Sequence, residues 1–235
     1  MDIINEIKKD LRKVAVTEKI PIYQNFFKTG KGDYGEGDIF LGIYSDDIKI
    51  IAKKYKSISL DLVKNLLESK IHEERVLAMR ILVEKYNELN DDSTVKFYKK
   101  HNKKINNWDL VDLSADKIIG HYYYNNKKKI KELYKLAKSD NLWERRTAII
   151  ATFYFIRKNQ FKDTIKISEI LLNDKHDLIQ KAVGWMLREI GKKDKKTLVD
   201  FIKKHYKNMP RTMLRYSIEK FPEKERKDYL LGKVN

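Results

Sequence analysis

Cysteine is absent from the 235-residue sequence, which excludes a disulfide framework and any thiolate metal site and makes a reducing interior the natural setting. Proline occurs three times and glycine nine times, so the chain has few of the residues that break helices. The longest nearly apolar run, TAIIATFYFI from Thr147 to Ile156, falls short of the roughly 20 residues needed to cross a bilayer. The opening MDIINEIKKDLRK mixes charged and apolar residues without an apolar core. It reads as an amphipathic helix rather than an export signal, and a cytoplasmic protein that stays off the membrane is expected. Acidic residues are in deficit, 34 against 51 Lys and Arg, for a formal charge of +17. A field of that size concentrates polyanions, nucleic acid above all; lysine-rich codon usage in an AT-rich genome is the bland alternative. None of the five histidines has a metal-ligand spacing, and HEER at His72 lacks the second histidine of H-E-x-x-H. Surface or capping roles are therefore expected for them, with no metal and no cofactor.

From Ser45 onward apolar residues recur every three or four positions between short polar breaks, the pattern of amphipathic helices and of an all-α chain. N-caps are expected at Ser45, Ser59, Asp91, Asn106, Asp140, Asn173 and Asp194, with Pro210 in a first turn and Gly191 as a C-terminal cap. A 35-residue ruler finds a weak repeat: EERVLAMRIL begins at Glu73, WDLVDLSADK at Trp108, WERRTAIIAT at Trp143 and LIQKAVGWML at Leu178. Ala78, Leu113, Ala148 and Val183 share one apolar column, as the buried position of stacked helices should. Helix pairs of this period cannot bury both faces alone. They stack into a right-handed α-solenoid of HEAT-like helical hairpins, here expected as a single domain over residues 1–235. NMPRTMLRYSIEKF would close it as a shifted fifth unit.

The same ruler says which side chains share a face. Trp108, Asp112 and Ala115 occupy the columns of Trp143, Thr147 and Ile150, and of Leu178, Ala182 and Trp185, because residues at i, i+4 and i+7 point the same way on a helix. Arg146 and Lys181 flank that stripe, and Arg188 lies a turn beyond Trp185. If the second helix of each pair lines the concave side, these residues form a basic groove with two indoles and one carboxylate. Large aromatics at helical spacing are usually core. Asp112 argues otherwise, since an unpaired carboxylate on that stripe is costly to bury and should meet water, a cation or a ligand; a structural ion pair with Arg146 is the rival.

KTGKGDYGEGD, Lys28 to Asp38, contains a formal G-x-G-x-x-G. No strand precedes it and no helix opens at Gly35, so a glycine-rich connection is expected instead of a dinucleotide fingerprint. HYYYNN, His121 to Asn126, is expected to pack a helix end, with base stacking the alternative. KKKIK, Lys127 to Lys131, reads as a solvated helix face, with nonspecific phosphate contact the alternative.

INNWDLVDLSA, LWERRTAII, IQKAVGWMLRE and FLGI at Phe40 to Ile43 resemble the bacterial DNA alkylation repair proteins of the AlkD type, alkylpurine DNA glycosylases built from HEAT-like repeats. The resemblance runs from about Phe26 to Phe221. It implies a cleft where Trp108 and Trp185 contact the damaged nucleotide, Asp112 lies near the deoxyribose, and Arg146 and Arg188 hold phosphates. Lys181, Arg211 and Arg215 of the basic rim join them in the expected DNA contact. The implied substrate is double-stranded DNA carrying N3- or N7-alkylated purines, attacked without the full base extrusion of most glycosylases; the implied enzyme is a monomeric bacterial hydrolase of the N-glycosidic bond. The sequence departs from the pattern at Asn107, where some members carry another aromatic, at Tyr154, where some carry lysine, and in the longer glycine-rich loop. Two other readings stand beside it: a noncatalytic binder of branched or distorted DNA on the same scaffold, and a helical scaffold for an acidic protein.

Overall fold

The computed structural model describes residues 3–233. Among them, helices and short connections carry the fold, and the one β-type pairing is an isolated bridge between Ile39 and Ile71. No helix among the described residues is long and apolar enough to cross a membrane. The chain divides after Ser114 into two compact units.

The first unit contains α1 (Ile3–Lys13), α2 (Ile20–Phe26), α3 (Ser45–Lys54), α4 (Leu60–Leu67), α5 (His72–Leu89), α6 (Asp92–Lys100) and α7 (Trp108–Ser114). In α1 the apolar face expected from the sequence is present, with Ile7 and Leu11, one turn apart, fully buried. α5 has no such polarity. α3, α4, α6 and α7 all pack against it, so its stripe widens until nearly every residue from His72 to Val83 is buried. It stops at Asn90, whose left-handed backbone (φ 46°) closes the last turn.

The second unit opens with a π-helical turn, Asp116–Gly120, in which the Gly120 amide donates to the Ala115 carbonyl at 2.8 Å. α8 (His121–Asn125), α9 (Lys131–Leu136), α10 (Leu142–Arg157), α11 (Lys162–Ile170), α12 (Asp177–Gly191), α13 (Lys195–His205), α14 (Arg211–Ser217) and α15 (Glu223–Leu230) follow. α10, α12 and α14 pack side by side in that order, with α11 and α13 packed against them. Two glycines set how closely they approach. A Cβ at Gly120 would lie 2.2 Å from the Ala151 carbonyl oxygen of α10, and one at Gly184 would lie 2.6 Å from the Met213 carbonyl oxygen of α14.

The repeat segments fall on α5, α7, α10, α12 and α14. In the shared column Ala78, Ala148 and Val183 are fully buried. Leu113 is not; it is half-buried and borders a cavity. Side chains of Ser59, Asp91 and Asp194 cap their helices as expected, accepting from the amides of Leu62, Thr94 and Thr197, each worth about 1 kcal/mol. Other caps are displaced: Asn107 and Asn141 take the roles assigned to Asn106 and Asp140, and His176 replaces Asn173. Ser45 is the first helical residue after Tyr44, and Pro210 sits just before α14. Gly191 ends α12 against the Leu198 side chain, with Lys192 as the C-cap.

The glycine-rich segment is a chain of turns, as expected. Gly32 and Gly37 have φ of 82° and 85°, and the Glu36 carboxylate accepts from the Gly32 amide.

Candidate functional site

In the first unit the site is built around Trp108, the first residue of α7. Asn107, fully buried, accepts a 2.7 Å hydrogen bond from the Trp108 amide and so starts the helix at that residue. The half-buried indole lies nearly parallel on Phe27, with centroids 5.2 Å apart at 15°, while Phe26 meets it edge-on at 5.4 Å. Phe27 in turn stacks on Phe40 at 5.3 Å. Phe40 belongs to FLGI, and the reason for that tetrapeptide is visible. The buried Glu73 carboxylate accepts from the amides of Leu41, Gly42 and Ile43, a loop that needs Gly42 at φ 78° because a Cβ there would strike the Val16 carbonyl.

Beneath the rings lies His72. It is 2% exposed, not a surface histidine, and its two ring nitrogens reach Asp109 at 2.7 Å and Asp38 at 3.2 Å. Arg75 closes the cluster with a 2.5 Å hydrogen bond to Asp38. Burial alone would lower the pKa of His72, but its hydrogen bonds to Asp109 and Asp38 outweigh this and raise it to about 9. An imidazolium therefore holds Asp109 and, with it, the first turn of α7. Its ring also touches Phe27 and Phe40, at 4.7 and 4.8 Å.

Above these groups is a cavity of about 330 Å³, walled by Phe26, Phe27 and Trp108 and bordered by Arg80 and Asp109. Arg80 donates to Ser45 at 2.6 Å, and its Nε is buried without a partner. Burial holds the Arg80 pKa below its usual value despite Asp46, Asp109 and Glu84. Asp112, one turn after Trp108 on α7, is half-buried.

The second unit holds the other indole. Trp185 is half-buried against Phe153, with centroids 5.9 Å apart. The Arg157 guanidinium sits 4.7 Å from the Phe153 centroid and is anchored by the buried Asp116 carboxylate at 2.6 Å. Each indole is thus backed by a ring, and each ring by a cation held on carboxylates, half-buried Asp38 and Asp109 in the first unit and buried Asp116 in the second. Lys181, Trp185 and Arg188 share α12, and Arg211 and Arg215 share α14 beside it. Lys181 pairs with Asp177 at 2.6 Å. Arg188 pairs with Glu219 and Glu189. Arg211 is exposed and donates to the Leu230 carbonyl, and Arg215 is exposed. Arg146 is 5% exposed and donates to the Leu178 carbonyl at 2.6 Å, which fastens α10 to the first turn of α12.

Sequence reasoning missed three residues of this architecture: Phe27, His72 and Arg80. Arg80 had a signal. Carried back one repeat, the ruler puts it in the column of Ala115, Ile150 and Trp185. For His72 the ruler gives Asn107, next to the helix start it braces; nothing local marks Phe27. Among the described residues no cluster of three or more His, Cys, Asp or Glu side chains is arranged to hold a metal ion.

Together these features define a class: an all-helical, strongly basic protein with two half-buried indoles, each resting on another aromatic ring. The family model described as DNA alkylation repair enzyme matches residues 7–221, and the chain belongs to that family. Its fold is similar to that of a solved Enterococcus faecalis protein described as a predicted DNA alkylation repair enzyme, with a TM-score of 0.71 at 16% identity over 89% of this chain and 97% of that one. No curated protein sequence matches it. Family membership implies DNA as the partner and an enzymatic role in repair.

Proposed function

We propose that the protein is a DNA glycosylase that hydrolyses the N-glycosidic bond of N3- or N7-alkylated purines in double-stranded DNA. The observation that carries this reading is Trp108 seated on Phe27 with Asp112 one turn on, both half-buried on α7, in a chain of the alkylation repair family. An alkylated purine ring is cationic and leaves without being protonated. What the protein must supply is stabilisation of the positive charge that grows on the sugar as the bond breaks, and a placed water. A carboxylate does both beside an oxocarbenium-like transition state, and Asp112 is assigned that role. Trp108 attracts the cationic base through its ring face, by roughly 0.5–2 kcal/mol, which favours the lesion over its neutral parent; Trp185, in the second unit, is assigned a contact with the DNA.

Phosphate contacts are assigned to Lys181, Arg188, Arg211 and Arg215, which are half-buried or exposed, with Arg146 adding its charge from below the surface. Such contacts supply most of the affinity without reading sequence. The test is release of free 7-methylguanine from methylated duplex DNA. Asp112→Asn is expected to slow it by at least about a hundredfold, the scale of losing one preorganised electrostatic group. Tight junction binding with no base release by the wild type would replace this reading with that of a noncatalytic binder.

A further inference from the structure

The sequence motifs HYYYNN and KKKIK have no part in the proposed repair site. In the second unit they meet. Tyr123 and Tyr124 of α8, Lys127 and Lys131, Tyr134 of α9, Phe155 of α10, and Lys162, Asp163 and Lys166 of α11 line a cleft of about 610 Å³. Clefts that enclose ligands of small-molecule size run from roughly 300 to 1,000 Å³, so this one holds a nucleotide or two and not a duplex.

Its electrostatics are one-sided. Lys127, Lys131, Lys162 and Lys166 are exposed, and among the described residues none has a carboxylate in ion-pair range. Some other lysines of the same unit are neutralised, Lys195 by Glu225, Lys196 by Asp200 and Lys204 by Glu169, whereas these four converge on one cleft without such partners. The lone acid of the cleft, Asp163, is engaged by the Tyr134 hydroxyl. The rings are fixed in place. Tyr134 is tied through that bond, Tyr124 accepts from the Gln160 side chain at 3.4 Å, and Tyr123 donates to Glu132 at 2.9 Å. Tyr124 and Tyr134 are half-buried, the Lys127 ammonium lies 5.5 Å from the Tyr124 ring centroid, from which it can swing to a phosphate, and Phe155 closes the floor.

The cleft is separate from the indole of its unit. Phe153 touches Trp185, whereas Phe155, two residues on, lines the cleft; that step turns about 200° round a helix, so the two lie on opposite sides of α10.

We propose that this cleft binds one or two unpaired nucleotides of a single DNA strand, the phosphates on and beside them held by the four lysines and a base against Tyr124 and Tyr134. Lysines tracking a phosphodiester backbone beside aromatic platforms are the chemistry by which single strands are held without sequence preference. An acidic peptide would satisfy the lysines but leave the rings unused.

Fluorescence anisotropy with a labelled single strand of about 12 nucleotides, within the usual site size, tests this. Lys162→Glu with Lys166→Glu should weaken binding at least about tenfold and reduce the salt slope by roughly 1.4, at about 0.7 per lost phosphate contact. Lys162→Arg with Lys166→Arg should keep the affinity, and Tyr134→Leu should lower it about fivefold or more. Release of 7-methylguanine from duplex DNA should be unchanged in the Glu pair. If excision is absent in every protein but strand binding follows the lysines, the cleft assignment stands and the glycosylase reading falls. Unchanged strand affinity in the Glu pair would overturn the assignment, as would displacement of the strand by polyglutamate as readily as by unlabelled DNA.

Discussion

Phe27 carries more than its size suggests, because it is the layer between the Trp108 indole and the Phe40 and His72 rings. Phe27→Ala should cost about 3–5 kcal/mol of stability, the usual loss for a buried phenylalanine. Phe26→Ala, at a ring 60% exposed, should stay within about 0.5 kcal/mol. Urea denaturation of both variants checks this; equal losses would mean that Phe27 is not the support. His72 gives a pH signature. Its pKa is raised from 6.5 to about 9 in the folded protein, so its bonds to Asp38 and Asp109 contribute stability that is fully present below pH 6.5 and is lost as pH rises through about 9. His72→Gln should be less stable at pH 6.5, and the gap to wild type should narrow toward and beyond pH 9. A constant gap would contradict a charged His72. The sequence shows Trp108 and Asp112 one turn apart, since spacing within a helix is local information. It hides His72, whose partners Asp38 and Asp109 come from other elements and whose HEER context matches no motif.

At the scale of the helix, glycine position separates packing from propensity. Gly184 lies mid-helix in α12, where glycine is worth about 1 kcal/mol less than alanine, yet an added Cβ would lie 2.5 Å from the Tyr216 Cβ and 2.6 Å from the Met213 carbonyl oxygen. Neither neighbour can rotate away. Gly184→Ala should therefore destabilise by about 1–3 kcal/mol through overpacking. Gly191 meets chiefly the far end of the Leu198 side chain, which can turn aside, so Gly191→Ala should be neutral or stabilise by up to about 1 kcal/mol. Thermal unfolding of the pair reads the opposite signs; matching losses would show that α12 and α14 do not set the constraint. Helix existence was legible because burial imposes a period on the sequence. Cap positions slipped by up to three residues where several polar residues compete, as in NDKHD, where His176 caps α12 although Asn173 looked better placed. Leu113 departs from its column for a related reason: the column is apolar, but the space beside Leu113 is a cavity bordered by Trp108 and Arg80.

For the whole molecule, the formal charge of +17 and the family match across residues 7–221 bear on the same question. A protein that grips duplex DNA through the phosphates assigned to Lys181, Arg188, Arg211 and Arg215 should lose affinity linearly in the logarithm of salt concentration, by about 0.9 per contact, whatever the sequence. Removing Arg215, exposed on α14, should reduce that slope by about one. An unchanged slope would take Arg215 out of the interface. Charge reports a polyanion and says nothing of chemistry; that claim rests on the acid beside the first indole. The direct measurement is the rate at which free 7-methylguanine appears from methylated duplex DNA with wild type and with Asp112→Asn. The account predicts release well above the uncatalysed rate for wild type and a loss of at least about a hundredfold in the variant. Equal rates for the two proteins, or no release by either, would contradict it.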